Sequence, residues 1–303
     1  MPSRRRLLFA LALSTVSLAL AQPIRLARAA DAITVLQSRP IPSTGELLPV
    51  IGMGSPGSFD VGTSPAELDP LREVLRRFFA AGASLIDTAP GYGRAEAVIG
   101  ELLAEMNPRQ KAFLATKIGT VGREAGLAQF RRSLELLKTD KVEFLQVHSL
   151  QDWKTQIALI GELKAQGKTR YTGLTHWPDS GHDELAEVVR AVRPDFLQVN
   201  YSVISRSDEV KVFPLARELG VAVLVNRAFD DGRLFSRVMD KALPSWAVEA
   251  GIDSWAQAFL RFALSHPAVT AVIPADRQSD NLKAGSGPAL TEAQRQSLVE
   301  LLA

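Results

Sequence analysis

Cysteine is absent from the 303-residue chain. That one absence excludes disulfide frameworks, thiolate metal sites and cysteine nucleophiles together, and no metal centre is expected. It also suits an oxidising compartment, without requiring one. A second long apolar run is missing as well: beyond residue 21 no segment approaches the roughly 20 apolar residues of a membrane-spanning helix. No low-complexity linker divides the chain. Excess charge is scarce, because the formal net charge of +2 includes Arg4, Arg5, Arg6, Arg25 and Arg28, and taking away residues 1–29 leaves −3. The basic balance therefore gives no footing for nucleic-acid binding.

What is present begins with a leader. Ser3-Arg4-Arg5-Arg6-Leu7-Leu8 opens an apolar run from Leu7 to Ala21, followed by small residues. A basic head, apolar middle and small-residue exit predict an export signal over residues 1–29, with cleavage at Ala27-Arg28-Ala29 or at Ala19-Leu20-Ala21. The adjacent arginines resemble a twin-arginine signal, which implies the twin-arginine export machinery as a partner and a periplasmic or otherwise exported location. A retained signal would instead anchor the chain to the membrane.

Residues 30–303 read as one domain, in which short β-rich runs alternate with amphipathic ones. Eight candidate strands start at Val50, Ser84, Phe113, Phe144, Tyr171, Phe196, Val221 and Val269. Helical spacing recurs between them over residues 65–81, 94–106, 129–137, 156–165, 183–192, 212–219 and 254–264, and Gly82, Gly167 and Gly220 each end such a run. The alternation predicts an α/β (β/α)8 TIM barrel, with an open doubly wound sheet as the alternative. Ile41–Glu46 reads as a hairpin turn capping the barrel bottom, and 230–251 as a longer connection after strand seven. Gly52-Met53-Gly54-Ser55-Pro56-Gly57 has the spacing of a dinucleotide-binding loop, but Pro56-Gly57-Ser58 does not begin the helix that such a loop requires.

The strand ends carry chemistry. Asp87, Lys117 and His148 each stand where an apolar run stops, at the face where barrel active sites lie, and Tyr92 follows Asp87 by five residues. A free tyrosine, with a pKa of about 10, exchanges protons poorly near neutrality. An ammonium beside it favours the phenolate, a carboxylate keeps that ammonium charged, and a histidine orients the substrate oxygen. With a hydride donor, such a set reduces a carbonyl or oxidises the alcohol.

The runs Ile86-Asp87-Thr88-Ala89-Pro90-Gly91-Tyr92-Gly93 with Glu96, Ala115-Thr116-Lys117, Leu145-Gln146-Val147-His148, Gln198-Val199-Asn200-Tyr201-Ser202 and Val272-Ile273-Pro274 resemble the aldo-keto reductase family. The resemblance implies Tyr92 as general acid/base, Asp87 and Lys117 as its tuning pair, and His148 as substrate orienter. It also implies NADP(H) as cofactor, with NAD(H) open, and a small aldehyde, ketone or alcohol as substrate. Family positions for the nicotinamide amide fall on Thr175, His176 and Gln198. Asn226 stands where many members stack an aromatic on the nicotinamide, and Arg227 follows it, placed to cover that ring or meet the pyrophosphate. After strand eight, Ala275, Asp276 and Asn281 replace residues expected to hold the 2′-phosphate, and Arg277 is the compensating candidate. Phe59, Trp153, Trp177 and Phe229 are candidate pocket aromatics. Export leaves a second reading beside the enzyme: a nucleotide-binding or regulatory barrel without turnover.

Overall fold

The computed structural model describes residues 36–275 and 278–303. The expected signal over 1–29 lies outside the described residues, as do Asp276 and Arg277. Among the described residues no helix is long and apolar enough to cross a membrane.

A hairpin leads the fold: β1 (Ser38–Pro40) pairs antiparallel with β2 (Leu47–Pro49), and Gly45, at φ 77°, makes the turn. Its buried Ile41 and Leu48 join the apolar cluster formed by Phe113, Phe144, Tyr171, Phe196 and Leu224, so the hairpin plugs the bottom of the barrel as expected. The sheet then runs in strict chain order through β3 (Met53–Gly54), β4 (Leu85–Asp87), β5 (Phe113–Ile118), β6 (Val142–His148), β7 (Thr169–Thr175), β8 (Phe196–Asn200), β9 (Ala222–Asn226) and β10 (Val269–Val272), all parallel. Ile51 bridges Val272, and the Gly52 amide donates to the Val272 carbonyl at 2.8 Å, which brings the last strand back to the first. The chain thus forms a (β/α)8 barrel rather than an open sheet.

The first barrel strand is regular only over Met53–Gly54, later than the run beginning at Val50 suggests. A Cβ on Gly52 would lie 2.9 Å from Leu85 Cδ2, and one on Gly54 2.8 Å from the Ile273 carbonyl oxygen. In the apparent dinucleotide loop Gly54 lets two strand backbones approach closely, Gly52 leaves room for the Leu85 and Ile273 side chains, and Gly57 turns the chain at φ 76°. No helix starts until residue 65.

The crossovers are α1 (Pro65–Ala80), α2 (Ala95–Met106), α3 (Arg123–Leu136), α4 (Trp153–Ala165), α5 (His182–Val192) and α6 (Val212–Leu219). Gly82, Gly167 and Gly220 all follow helices at positive φ, as read from sequence. The connection after β9 holds two short helices, α7 (Arg233–Arg237) and α8 (Ser245–Glu249), before α9 (Trp255–Leu264). Two further helices, α10 (Gln278–Ala284) and α11 (Glu292–Leu302), end the chain, the latter opened by a Thr291/Gln294 capping box.

Alternation along the strands grades the barrel interior. Phe113 and Ala115 face the apolar floor, and Lys117 continues their side of β5; Phe144 is followed in the same way by Gln146 and His148. Hydrocarbon fills the bottom, and buried polar groups form the layer below the mouth.

Candidate active site

Asp87 ends β4, Lys117 is the penultimate residue of β5 and His148 ends β6. Lys117 and Asp87 are 1% and 2% exposed, and the lysine Nζ donates to Asp87 Oδ2 at 2.6 Å and to the Thr88 carbonyl at 2.9 Å. Gln146 Nε2 donates to the other carboxylate oxygen at 3.0 Å. Burial opposes charge on Lys117, yet Asp87 and Tyr92 outweigh it and hold the ammonium above the ordinary lysine range. A buried ion pair adds little to stability by itself, so its presence at a barrel mouth points to chemistry.

Tyr92 sits on the turn that follows β4, its ring centroid 4.9 Å from Lys117 Nζ. The His148 ring meets it edge-on, with centroids 6.2 Å apart. Burial, then the nearby Lys117 charge, pushes His148 down to about 4, so the imidazole is neutral at physiological pH. The tyrosine turn is fixed from two sides. Asp60 Oδ1 accepts the Arg94 amide at 2.9 Å, and a Cβ on Gly93, at φ 59°, would run into that carboxylate. On the other side Glu96, 3% exposed, accepts from Thr116 Oγ1 at 2.6 Å and from Ser133 Oγ at 3.1 Å. This ties α2 to β5 and α3. Burial pushes the Glu96 carboxyl up, against the pull of those two hydrogen bonds.

A cavity of about 690 Å3 opens beside this cluster, lined by Asp87, Tyr92, Gln198, Asn226, Arg227, Phe229, Phe235, Ala275 and Asn281 among others. Two of its buried atoms lack a protein partner among the described residues: the donor Gln198 Nε2 and the acceptor Asn226 Oδ1. They come from adjacent strands and are complementary to a planar amide, which fits a nicotinamide carboxamide. Thr175 is buried on β7 in register with His148 and Gln198, and the His176 amide donates to the Gln198 carbonyl at 3.2 Å. Neither lines the cavity. Arg227 does, but its guanidinium lies 4.3 Å over the Trp177 ring and pairs with Asp231 at 3.2 Å.

Among the candidate aromatics, Phe229 lines the cavity beside Phe235, while Phe59 is a 1%-exposed core residue rather than part of the mouth. Trp153 is half-buried under Lys154. Sequence reasoning missed Gln146. Its signal was available, since it stands two residues before His148 and hence on the same side of the strand.

The Aldo/keto reductase family profile matches residues 50–294, spanning every barrel strand and the whole site. The chain belongs to the aldo/keto reductase family. It is similar to the NADH-specific methylglyoxal reductase of Escherichia coli, 27% identical over 241 residues that cover 69% of this chain and 72% of that one. The aldo-keto reductase ausK of Emericella nidulans is 29% identical over 218 residues, which span 63% of this chain and only 54% of the fungal protein. Among solved structures, an aldo/keto reductase from Klebsiella pneumoniae in complex with NADP and acetate superposes with a TM-score of 0.72 at 23% identity, covering 85% of this chain and 93% of that one. Aldo/keto reductases bind a nicotinamide cofactor and act on small carbonyl compounds, so NAD(P)H-dependent carbonyl reduction follows from the family.

Proposed function

We propose that this chain reduces a small aldehyde or ketone, or oxidises the corresponding alcohol, with Tyr92 as the general acid/base. The observation carrying this is the Tyr92 ring beside the buried Lys117–Asp87 pair and edge-on to a neutral His148, at the wall of the cavity. A nicotinamide nucleotide held there, with Gln198 and Asn226 toward its amide, supplies the hydride. The neutral His148 ring N–H donates to the carbonyl oxygen and fixes its direction. Tyr92 delivers the proton to that oxygen as negative charge gathers on it, and the Lys117 ammonium, locked by Asp87 and Thr88, stabilises the oxyanion left on the tyrosine.

Both nucleotides are expected to bind without a strong preference for NADPH. Ala275 offers nothing to a 2′-phosphate, and the similar Escherichia coli enzyme carries NADH-specific in its name. The leader-like residues 1–29 support an exported enzyme loaded with its cofactor before passage, which cell fractionation tests by whether the mature chain appears outside the cytoplasm.

The decisive assay is nucleotide titration by tryptophan fluorescence, then NAD(P)H oxidation over a panel of aldehydes and ketones. Tyr92→Phe is expected to bind nucleotide normally and to lose about 10²–10⁴ in kcat. Binding of neither nucleotide to the wild type overturns the reading. So does a Tyr92→Phe variant that turns over normally.

A further inference from the structure

At the end of the barrel opposite Tyr92, where α9 runs down to the start of β10, two arginines meet without a carboxylate between them. Arg261 lies in the last turn of α9 and is 3% exposed. Its Nη1 donates to the Ala250 carbonyl at 2.8 Å, while the buried Nε has no protein partner among the described residues. Arg39, on β1, donates through Nη2 to the Leu264 carbonyl at 2.5 Å and through Nη1 to the Val269 carbonyl. Both line a cavity of about 20 Å3 that is shared with Gln37, Val50, Leu264 and Gly287, and no acidic side chain stands among its described lining. Asp253 is felt at Arg261 but pairs with Lys283 instead, at 3.6 Å. Burial pushes both guanidiniums below the ordinary arginine range, yet an arginine does not give up its proton in a protein. Carbonyl dipoles at the end of α9 offset part of this charge. A buried guanidinium that no counter-charge meets is otherwise costly.

We propose that Arg261 and Arg39 form a structural binding site for a small inorganic anion of chloride size, with the Arg261 Nε–H as its innermost donor. The cavity has room for one particle about as large as a water molecule, which admits a halide and rejects an organic carboxylate or a nucleotide phosphate. Its walls come from three parts of the chain: β1 of the hairpin, the end of α9, and the segment at Gly287 between α10 and α11. Gly287 lies directly on the guanidinium, since a Cβ there would fall 2.1 Å from Arg261 Nη2. An anion seated here ties the hairpin plug and the C-terminal segment to α9, and so acts on stability. The site is separate from the nucleotide cavity and does not depend on the reductase reading.

The test follows the Tm of the full chain as sodium chloride replaces sodium gluconate at constant ionic strength, gluconate being too large to enter. The wild type is expected to gain roughly 5 °C once chloride exceeds its Kd a hundredfold, with the logarithmic rise that binding to the folded state alone produces. Arg261→Met is expected to lose that gain, because it removes the donor and the charge together. Arg39→Gln, at a partly exposed position outside the helices, is expected to shrink the gain, and it keeps the test open where Arg261→Met does not fold. The chloride NMR linewidth gives a second readout on the wild type: saturable broadening that bromide displaces. A wild-type Tm indifferent to the exchange overturns the proposal. So does a chloride gain that persists unchanged in the variants, which would be salt acting on the surface at large, or a linewidth without saturable broadening.

Discussion

Replacing Lys117 by methionine separates stability from chemistry at the centre of the site. The substitution keeps most of the apolar stem and removes a charge that is 1% exposed and 2.6 Å from Asp87 Oδ2. Asp87 then stays buried as an uncompensated carboxylate, a defect that costs about 3–5 kcal/mol. Gln146 still donates to its other oxygen at 3.0 Å, which favours the low end, about 3 kcal/mol. For a domain of this size that corresponds to a fall in Tm of roughly 6–12 °C. Adding Asp87→Asn removes the stranded charge while leaving Gln146 an acceptor, so the double variant is expected to recover about 2 kcal/mol over Lys117→Met alone. Urea unfolding of wild type, both single variants and the double gives the coupling directly. Turnover stays low in all three variants, by about 10²-fold or more, because the fixed cation beside Tyr92 is lost or left unoriented. A Lys117→Met protein within about 1 kcal/mol of wild type, or a double variant less stable than it, would show that Asp87 is not an uncompensated charge in the fold.

Substitutions at three further positions test the walls of the site. His148 is pushed down to about 4 from an ordinary 6.5, so between those values the folded chain binds fewer protons than the unfolded one. Stability is therefore lost as pH falls from 6.5 toward 4, by no more than about 2 kcal/mol once solvent screening of this partly exposed ring is allowed for. His148→Gln, compared by urea unfolding at pH 7 and pH 4.5, is expected to flatten that slope, and an unchanged slope refutes the assignment. Gly93→Ala places a Cβ at φ 59° against the Asp60 carboxylate, so it should cost about 1–2 kcal/mol and lower kcat several-fold by loosening the Tyr92 turn. Asp60→Asn keeps an acceptor for the Arg94 amide and should stay near wild type, whereas Asp60→Ala loses about 1 kcal/mol, as a missing helix cap does.

How much of this was legible in the sequence depends on what set each feature. Asp87, Lys117 and His148 could be read because each closes an apolar run, and a polar residue there has nowhere to go but the mouth. The hairpin plug was legible from Pro42 and Gly45 between apolar residues, and the helix stops from glycine. Most of the missed elements lacked such punctuation. Helices α7 and α8 are five residues each and α10 only seven, too short for a period to show. The Thr291/Gln294 capping box of α11 was a readable signal that the strand-helix rhythm, already complete at eight strands, did not call for.

The cofactor side of the cavity was harder to read for a different reason. On the catalytic side, strand register carries side chains to fixed places, and chemistry follows from residue type. On the other side the loop after β9 decides, and its course is set by left-handed backbone at Arg227, Asp230 and Asp231, none of them glycine. Sequence placed an arginine near the cofactor, but nothing local announced that it would fold onto Trp177, fifty residues earlier, and be held by the acid four residues on. The Lys117–Asp87 pair and His148 are thus carried on strand ends, while Arg227 is carried on a loop whose course residue type does not announce. Substitutions in that loop are expected to leave Tyr92, Lys117, Asp87 and His148 in place, because those four lie on other elements of the barrel.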